Sequence, residues 1–227
     1  MITFYDFAAA VIRRIFDSRI AGPPVMGCET LFPEAKAFAG SWRAIRDEAL
    51  SIAGQLQQVP RFHEIMPEQT AISANDGHDW RMFIMKAYGV EVPRNMARSP
   101  TLAALVAASP AVLSASFSFL APGKHIPAHR GPFRGVLRFY LVLQMPKAED
   151  GRPAAVLKIA DEEYRLAEGD YLLWDDTFRH EVWNAGDETR TVLLLDVWRP
   201  NMPIDMILFS KILIAIVWLG IRWRGVV

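Results

Sequence analysis

The sequence contains one cysteine, no net charge and no repeated or low-complexity segment. A single cysteine, Cys28, cannot form an intramolecular disulfide, which favours a reducing compartment. The 25 basic residues are balanced by 25 acidic ones, so the chain has no net charge with which to hold a nucleic-acid backbone. The first residues also lack the basic, apolar and small-residue order of a secretory signal. These absences predict a cytoplasmic protein and argue against a nucleic-acid partner.

The N-terminal part of the sequence is typical of helices and loops. Residues 3–18 have apolar side chains at helical spacing around Arg13 and Arg14, which predicts an amphipathic helix. A Gly-Pro-Pro turn follows, and a second helix is expected from about Ser41 to Leu56. Because no sustained alternation of apolar and polar residues follows, residues 1–110 are expected to form a helical region that packs on the rest of the protein.

The pattern changes near residue 111 to short runs of β-branched and aromatic residues, separated by glycine, proline and aspartate. Closely spaced short strands are typical of a sandwich or barrel, and we expect a double-stranded β-helix, or jelly roll, over residues 111–203. The predicted class is therefore α+β and mainly β. The predicted strands are Ser114–Leu120, Gly135–Gln144, Ala155–Ala160, Glu163–Leu166, Tyr171–Asp175, Arg179–Trp183 and Arg190–Trp198.

The C-terminal segment, residues 204–227, is unusually apolar and predicts a terminal helix. From Met206 to Ile221 only Ser210 and Lys211 break the apolar run, which is shorter than the about 20 residues that a spanning helix needs. Trp218 and Trp223 beside Arg222 and Arg224 suit the headgroup boundary of a membrane. Two alternatives follow: a helix on or partly in a membrane, at its inner face, or a helix docked on the protein's own core or on a second subunit.

Two histidines flank predicted strands: His129 in "PAHRGP" and His180 in "DTFRHEVW". A jelly-roll metal site takes ligands from an early and a later strand, and imidazole suits divalent iron. The alternative is a pair of buried histidines that bond to carbonyl oxygens.

Two arginines lie on strands whose faces are otherwise mostly apolar. In "VLRFYLVL" the alternation places Arg138 and Tyr140 on one face, and Arg190 begins the strand "RTVLLLDVW". A buried guanidinium is costly unless a carboxylate meets it, so the pattern predicts a clamp for an organic acid. The alternative is a structural ion pair, for which the candidate partners are Glu181, Asp196 and Glu188.

The motifs together resemble the aspartyl/asparaginyl β-hydroxylase family of iron- and 2-oxoglutarate-dependent dioxygenases. The resemblance covers about Ser114 to Pro200 and rests on "PGxHxxxHxGP", "LRxxL", "DDTFxHEVW" and "TRxxLxxDVWRP". The lead-in "FPEAKAFAGSWRAIRDEAL" is similar to bacterial members, including lipid A acyl-chain hydroxylases. The resemblance implies a jelly-roll enzyme that uses Fe(II), 2-oxoglutarate and O₂.

The resemblance also implies roles for individual residues. His129 and His180 match the iron ligands, and Arg190 matches the arginine that pairs with the distal carboxylate of 2-oxoglutarate. Tyr140 stands where the animal enzymes have another histidine. The implied contacts to the cosubstrate are Ser118, Arg138, Tyr140 and Arg190.

Gly131 occupies the position, two residues after His129, where iron sites of this class commonly have a carboxylate. The animal enzymes of the family share this glycine, whereas the lipid A hydroxylases tend to have aspartate. We therefore expect weaker iron binding than in a complete triad, and tighter binding after Gly131→Asp. The alternative is a carboxylate from Asp175, Asp176 or Glu181, of which Glu181 is expected on the opposite face of its strand.

Three functions remain open from the sequence. The first is hydroxylation of an Asp or Asn side chain in a peptide or protein, which Gly131 favours. The second is hydroxylation of a lipid acyl chain at a membrane, which the apolar segment 204–227 favours. The third is a non-catalytic, cupin-like barrel that binds a small acid.

Overall fold

The computed structural model describes residues 4–224, an α+β fold built on two antiparallel sheets. The outermost residues of the first and last predicted segments, 1–3 and 225–227, lie outside the described residues. The described helices are α1 (Phe4–Asp17), α2 (Cys28–Leu31), α3 (Ala35–Gly40), α4 (Trp42–Ala53), α5 (Phe62–Ile65), α6 (Thr70–Ser73), α7 (Pro93–Met96), α8 (Pro100–Ala108) and α9 (Ile204–Arg224).

The described strands are β1 (Val25–Met26), β2 (Trp80–Ala87), β3 (Val90–Glu91), β4 (Val112–Leu120), β5 (His125–His129), β6 (Val136–Gln144), β7 (Ala155–Ile159), β8 (Glu162–Tyr164), β9 (Tyr171–Trp174), β10 (His180–Asn184) and β11 (Arg190–Trp198). The larger sheet has the order β1-β9-β6-β11-β4-β2-β3, and the smaller sheet has the order β5-β10-β7-β8.

The inner face of the large sheet packs against the small sheet. Tyr140 and Val192 from the large sheet share one buried cluster with Ile126, Leu157 and Val182 from the small sheet. Two antiparallel sheets closed over a common core form the predicted jelly roll, so the predicted fold class is confirmed.

The outer face of the large sheet is covered by the N-terminal helices. Phe139 and Leu193 pack there against Phe38, Ile45 and Leu102 from α3, α4 and α8. The alternation predicted for β6 is therefore correct, because its odd-numbered residues face the helices and its even-numbered residues face the interior of the barrel.

Helices α1 and α9 form a separate layer at one side of the barrel. Phe16 of α1 and Phe209 of α9 have ring centroids 5.5 Å apart, and Arg19 pairs with Asp205 at 2.8 Å. Both helices pack on Phe133, in the loop between β5 and β6.

Four of the described strands, β1, β2, β3 and β5, were not predicted. Strand β2 pairs with β4 in the large sheet, although residues 1–110 were expected to be helical or looped. Both of its faces are covered, with Trp80 and Met82 inside the barrel and Phe83 and Met85 under the helices. Such a strand has no polar alternation to reveal it.

Candidate active site

His129 and His180 lie directly opposite each other on the adjacent strands β5 and β10, with ring centroids 4.1 Å apart. The Nδ1 atoms are 2.8 Å from the carbonyl oxygen of Pro127 and 2.9 Å from that of Phe178. Because a carbonyl can only accept, each Nδ1 carries the hydrogen and each Nε2 has a free lone pair. A carbonyl partner of this kind orients metal-binding histidines, so the arrangement fits a metal, and it is also the carbonyl bonding that the alternative of two structural histidines expects. The role of the two histidines as metal ligands stays a prediction.

Burial lowers the pKa of both imidazoles. The pKa of His180 lies well below its ordinary value because of burial and then the neighbouring His129. Burial also lowers the pKa of His129. Both rings are therefore neutral near pH 7, which is the form that binds a metal ion.

Gly131 lies against the carboxylate of Asp176. A Cβ atom at position 131 would be 2.3 Å from Asp176 Oδ1 and 2.4 Å from Cγ, and the Gly131 amide donates a hydrogen bond to the Asp176 carbonyl at 2.7 Å. The carboxylate of Asp176 therefore fills the space where a side chain at position 131 would begin. The expectation that Gly131→Asp simply adds a ligand is corrected, because that space is occupied.

The other candidate carboxylates have partners away from the histidines. Asp175 pairs with Arg134 at 2.9 Å and with Arg199. Glu181 pairs with His125 at 3.2 Å, on the face of β10 opposite to His180, as predicted. Within residues 4–224 no group of three or more histidine, cysteine, aspartate or glutamate side chains is arranged to hold a metal.

Arg138 has acidic partners inside the protein. Its guanidinium lies 2.9 Å from Asp196 and 3.2 Å from Asp176, so the ion pair with Asp196, considered as an alternative, is present. Burial, partly offset by Arg138, raises the pKa of Asp176 to about 6. A contact between Arg138 and a cosubstrate stays a prediction.

Arg190 is different, because it is buried without a counter-charge. The residue is 2% exposed, and no ion pair joins it to an acidic side chain among the described residues. Its Nε atom has no hydrogen-bond partner there either, and its neighbour is the ring of Tyr140, 5.7 Å from the guanidinium carbon. Burial lowers the pKa of Arg190. An unpaired buried cation of this kind fits an anionic ligand.

Ser118 lies near Arg190 on the same inner face of the large sheet. Ser118 of β4 is opposite Val192, and Arg190 is opposite Leu120. The Ser118 hydroxyl oxygen accepts a hydrogen bond from Trp80 Nε1 at 3.0 Å, which leaves its own O–H free to donate. A guanidinium and a hydroxyl donor therefore point to one carboxylate-binding region in the barrel.

Comparison with known proteins places this geometry in a family. A family model described as "Aspartyl/Asparaginyl beta-hydroxylase" matches residues 39–200. The chain belongs to the aspartyl/asparaginyl β-hydroxylase family. The resemblance inferred from the motifs is thus confirmed, and the matched range contains all six predicted site residues.

Two relatives of the family illustrate its range. The chain is 34% identical over 183 residues to an ornithine lipid ester-linked acyl 2-hydroxylase of Rhizobium tropici, in an alignment that covers 81% of this chain and 63% of that protein. It is 27% identical over 180 residues to the human aspartyl/asparaginyl β-hydroxylase, in an alignment that covers 77% of this chain and 22% of that protein. The chain thus spans less than two thirds of the length of these two relatives.

Among solved structures, a predicted oxalate decarboxylase of Thermotoga maritima matches with a TM-score of 0.34 and 14% identity, over 53% of this chain and 81% of that one. The Cnp3 cupin domain of Schizosaccharomyces pombe matches with a TM-score of 0.32 and 11% identity, over 39% and 57%.

Two residues beside the candidate site, Trp80 and Trp174, were not predicted as functional neighbours. Trp80 bonds to Ser118, but its strand β2 was not predicted. Trp174 lies beside His180, with ring centroids 4.6 Å apart, and its buried indole N–H has no partner among the described residues. Asp176 was considered as a ligand, but its packing on Gly131 was not predicted.

Proposed function

We propose that this protein is an Fe(II)- and 2-oxoglutarate-dependent hydroxylase that acts on the acyl chain of a lipid. The coarser conclusion, a hydroxylase, is supported by the family and by the activities named for its relatives. The single observation that carries the cofactor proposal is the combination, in one barrel, of two imidazoles with free Nε2 atoms and a buried arginine without a counter-charge.

The residues present fit both groups. His129 and His180 would hold iron through Nε2, while Arg190 and Ser118 would bind the distal carboxylate of 2-oxoglutarate, with Tyr140 and Arg138 beside it. Bound together with O₂, iron and 2-oxoglutarate supply the oxidising power to hydroxylate an unactivated C–H bond, with release of succinate and CO₂.

The protein itself orients the groups and limits water. The two Nδ1–H bonds to carbonyl oxygens fix the imidazole rings. Arg190 is kept ready in a low-dielectric interior, where its attraction for a carboxylate is stronger than in water. The apolar cluster between the sheets keeps water from the reaction.

The substrate proposal changes the order of the first two functions left open by the sequence. A lipid acyl chain is favoured by the relative with 34% identity and by the exposed apolar helix α9, which is long and apolar enough to cross a membrane by length and composition. The proposed location is the inner face of the membrane, with a cytoplasmic barrel.

Hydroxylation of an Asp or Asn side chain is the second candidate. It is favoured by the 27% identity to the human aspartyl/asparaginyl β-hydroxylase and by the shared Gly131. A non-catalytic barrel that binds a small acid would retain the site of Arg190 but release no succinate.

The test uses purified full-length protein with Fe(II), 2-oxoglutarate and O₂. We expect succinate release that increases with a bacterial lipid extract, and lipid products heavier by one oxygen atom in mass spectra. His180→Ala is the matched control and is expected to abolish both signals. An increase with Asp- or Asn-containing peptides instead would favour the second candidate, and no succinate with either substrate would contradict a hydroxylase.

A further inference from the structure

Helix α9 exposes apolar side chains along its whole length. Its inner face packs on the protein through Met206 and Ser210, which are buried. The side chains on the other face are exposed, although a helix of a water-soluble surface would have polar residues there. This outer stripe consists of Ile204, Leu208, Ile212, Ile216, Leu219 and Trp223, which are 57–88% exposed.

Helix α1 adds a second exposed apolar stripe beside the first. Phe7, Val11 and Ile15 are 63%, 43% and 38% exposed, and they recur every four residues along one side of α1. The pairing of Arg19 with Asp205 brings the end of α1 to the start of α9. Phe16 packs on Phe209, and Ala8 and Ala9 line one cavity with Val217, so the two helices run antiparallel. We call their two exposed apolar stripes together the α1–α9 surface.

The contacts of α9 indicate a helix that lies along the membrane surface. Its first turns pack on Phe16, and Trp218, near its other end, lies 3.9 Å from the position of a Cβ on Gly89. A helix that contacts the rest of the protein near both ends lies along it and can immerse its outer stripe in the surface of a bilayer.

The charges around the α1–α9 surface favour a lipid bilayer as its partner. Arg14, Lys211 and Arg222 are exposed on the two helices. The acidic residues of these helices are Asp6, Asp17 and Asp205, of which Asp205 pairs with Arg19 and Asp17 pairs with Arg134. Arg222 lies over the ring of Trp218, 4.8 Å from its centroid. Tryptophan and basic residues at the rim of an apolar stripe are typical of helices at the headgroup level.

An apolar cavity of about 170 Å³ lies between the two helices and the barrel. This volume is below that of a typical small-molecule pocket, about 300 Å³ or more, and suits a segment of one alkyl chain. Its lining is Tyr5, Ala8, Ala9, Ile12, Tyr88, Pro132, Phe133, Leu213, Ile214 and Val217.

The inner wall of the cavity adjoins the candidate active site. Pro132 and Phe133 directly follow Gly131, whose carbonyl accepts a hydrogen bond from Arg13 of α1 at 3.3 Å. Tyr88 also lines the cavity. The cavity and the histidine site therefore meet at the loop that follows His129.

We propose that the α1–α9 surface docks the protein on a lipid bilayer and that the cavity between the helices receives an acyl chain of a bilayer lipid. The docking part stands on the exposed stripes alone, and the acyl-chain part rests on the proposed lipid hydroxylase function. The cavity would then lead the chain from the bilayer toward the loop that carries His129 and Gly131.

Docking is tested by sedimentation of the full-length protein with vesicles of phosphatidylcholine, with and without a minor fraction of phosphatidylglycerol. The test variant carries Leu208→Glu, Ile212→Glu and Ile216→Glu together. The matched control adds three glutamates at exposed positions of α4 and the turn after it: Ser51→Glu, Gln55→Glu and Gln58→Glu.

We expect the wild type and the control to bind vesicles and the α9 variant to partition at least about tenfold less. All three proteins should give the same far-UV circular dichroism spectrum, because the changed side chains are exposed. Equal binding of the α9 variant and the control, or no binding of the wild type, would overturn the proposal. So would a wild-type dimer that the α9 variant abolishes while vesicles remain unbound, since a second copy would then cover the surface.

The acyl-chain part is tested with Ala8→Phe, which fills the cavity, against Ala10→Phe, which lies on the exposed side of α1. Both variants should bind vesicles, but Ala8→Phe should lower lipid hydroxylation by about tenfold or more. Equal hydroxylation by the two variants would overturn the role of the cavity. Vesicle binding needs neither iron nor 2-oxoglutarate, so an absence of succinate in every protein would refute the proposed function while leaving docking intact.

Discussion

Gly131 and Asp176 compete for one space, and the substitution Gly131→Ala measures how firmly that space is filled. The new Cβ would lie 2.3 Å from Asp176 Oδ1, whereas Cβ contacts essentially never fall below 3.0 Å. The carboxylate must therefore move, although it is buried and lies 3.2 Å from Arg138. Overpacking costs about 1–3 kcal/mol, and losing a buried ion pair costs about 3–5 kcal/mol. Since Asp196 still pairs with Arg138, we expect Gly131→Ala to lower the free energy of unfolding by about 2–4 kcal/mol.

A double-mutant cycle separates this clash from a general loss of stability. Asp176→Ala removes the obstructing carboxylate, so Gly131→Ala should cost at least about 1 kcal/mol less in that background. The four proteins are compared by urea unfolding, followed by tryptophan fluorescence. An unchanged urea midpoint for Gly131→Ala, or strictly additive effects of the two changes, would refute the reasoning.

The packing of Asp176 on Gly131 also affects any attempt to add a carboxylate ligand at position 131 to the proposed iron site. Gly131→Asp alone should destabilise the protein, because the two carboxylates would overlap. The exchange Gly131→Asp with Asp176→Gly places one carboxylate two residues after His129 and should bind Fe(II) more tightly than the wild type in anaerobic titrations. An exchange variant as unstable as Gly131→Asp alone would show that the two positions do not share this space.

Three further predictions concern buried polar side chains of the barrel. Arg190→Met should raise the free energy of unfolding of the cofactor-free protein by about 1–3 kcal/mol, because it removes a buried charge that has no acidic partner among residues 4–224. It should also abolish the stabilisation by 2-oxoglutarate and Fe(II) in anaerobic thermal unfolding, and a less stable cofactor-free variant would contradict this. Trp80→Phe removes the donor to Ser118 and should raise the KM for 2-oxoglutarate severalfold in succinate assays, with little change in kcat and a stability loss of about 0.5–1.5 kcal/mol. Lys124→Met should lower the free energy of unfolding by about 3–5 kcal/mol in urea. The fully buried ammonium of Lys124 donates to Asp76 at 2.7 Å and to two further oxygens, which the variant would leave without this donor. An unchanged urea midpoint would show that these hydrogen bonds do not stabilise the protein.

The strands predicted from sequence are those whose two faces differ in chemistry. In β6 and β11 the alternation placed Arg138 and Arg190 on the inner face, and the structure agrees. Strand β2 was missed because its two apolar faces pack against different layers. Strand β5 was missed because the histidine and proline residues of "HIPAH" have no strand-like pattern. Its extended conformation is stabilised by pairing with β10, which is distant in the sequence.

Candidate site residues could be named from sequence motifs, but their partners and burial could not. The strand pattern alone could not distinguish Arg138 from Arg190, since each was an arginine on a mostly apolar strand face. The structure distinguishes them because Asp196 lies opposite Arg138 on the neighbouring strand, whereas Arg190 lies opposite Leu120. In the same way, the packing of Asp176 on Gly131 depends on how two distant loops meet, which neither local sequence reveals.

The contrast between the barrel and the helices α1 and α9 suggests how one reaction can be used on different substrates. The family match, residues 39–200, contains the two histidines and the arginine that would hold iron and 2-oxoglutarate. Helices α1 and α9 lie outside that match, yet they pack on Phe133 in the loop that follows His129 and Gly131. The proposed chemistry is therefore built into the barrel, whereas the surface that would select a lipid is added to it from the two ends of the described chain. We therefore expect changes in α1 or α9 to alter which substrate reaches the site without altering the proposed binding of 2-oxoglutarate at Arg190.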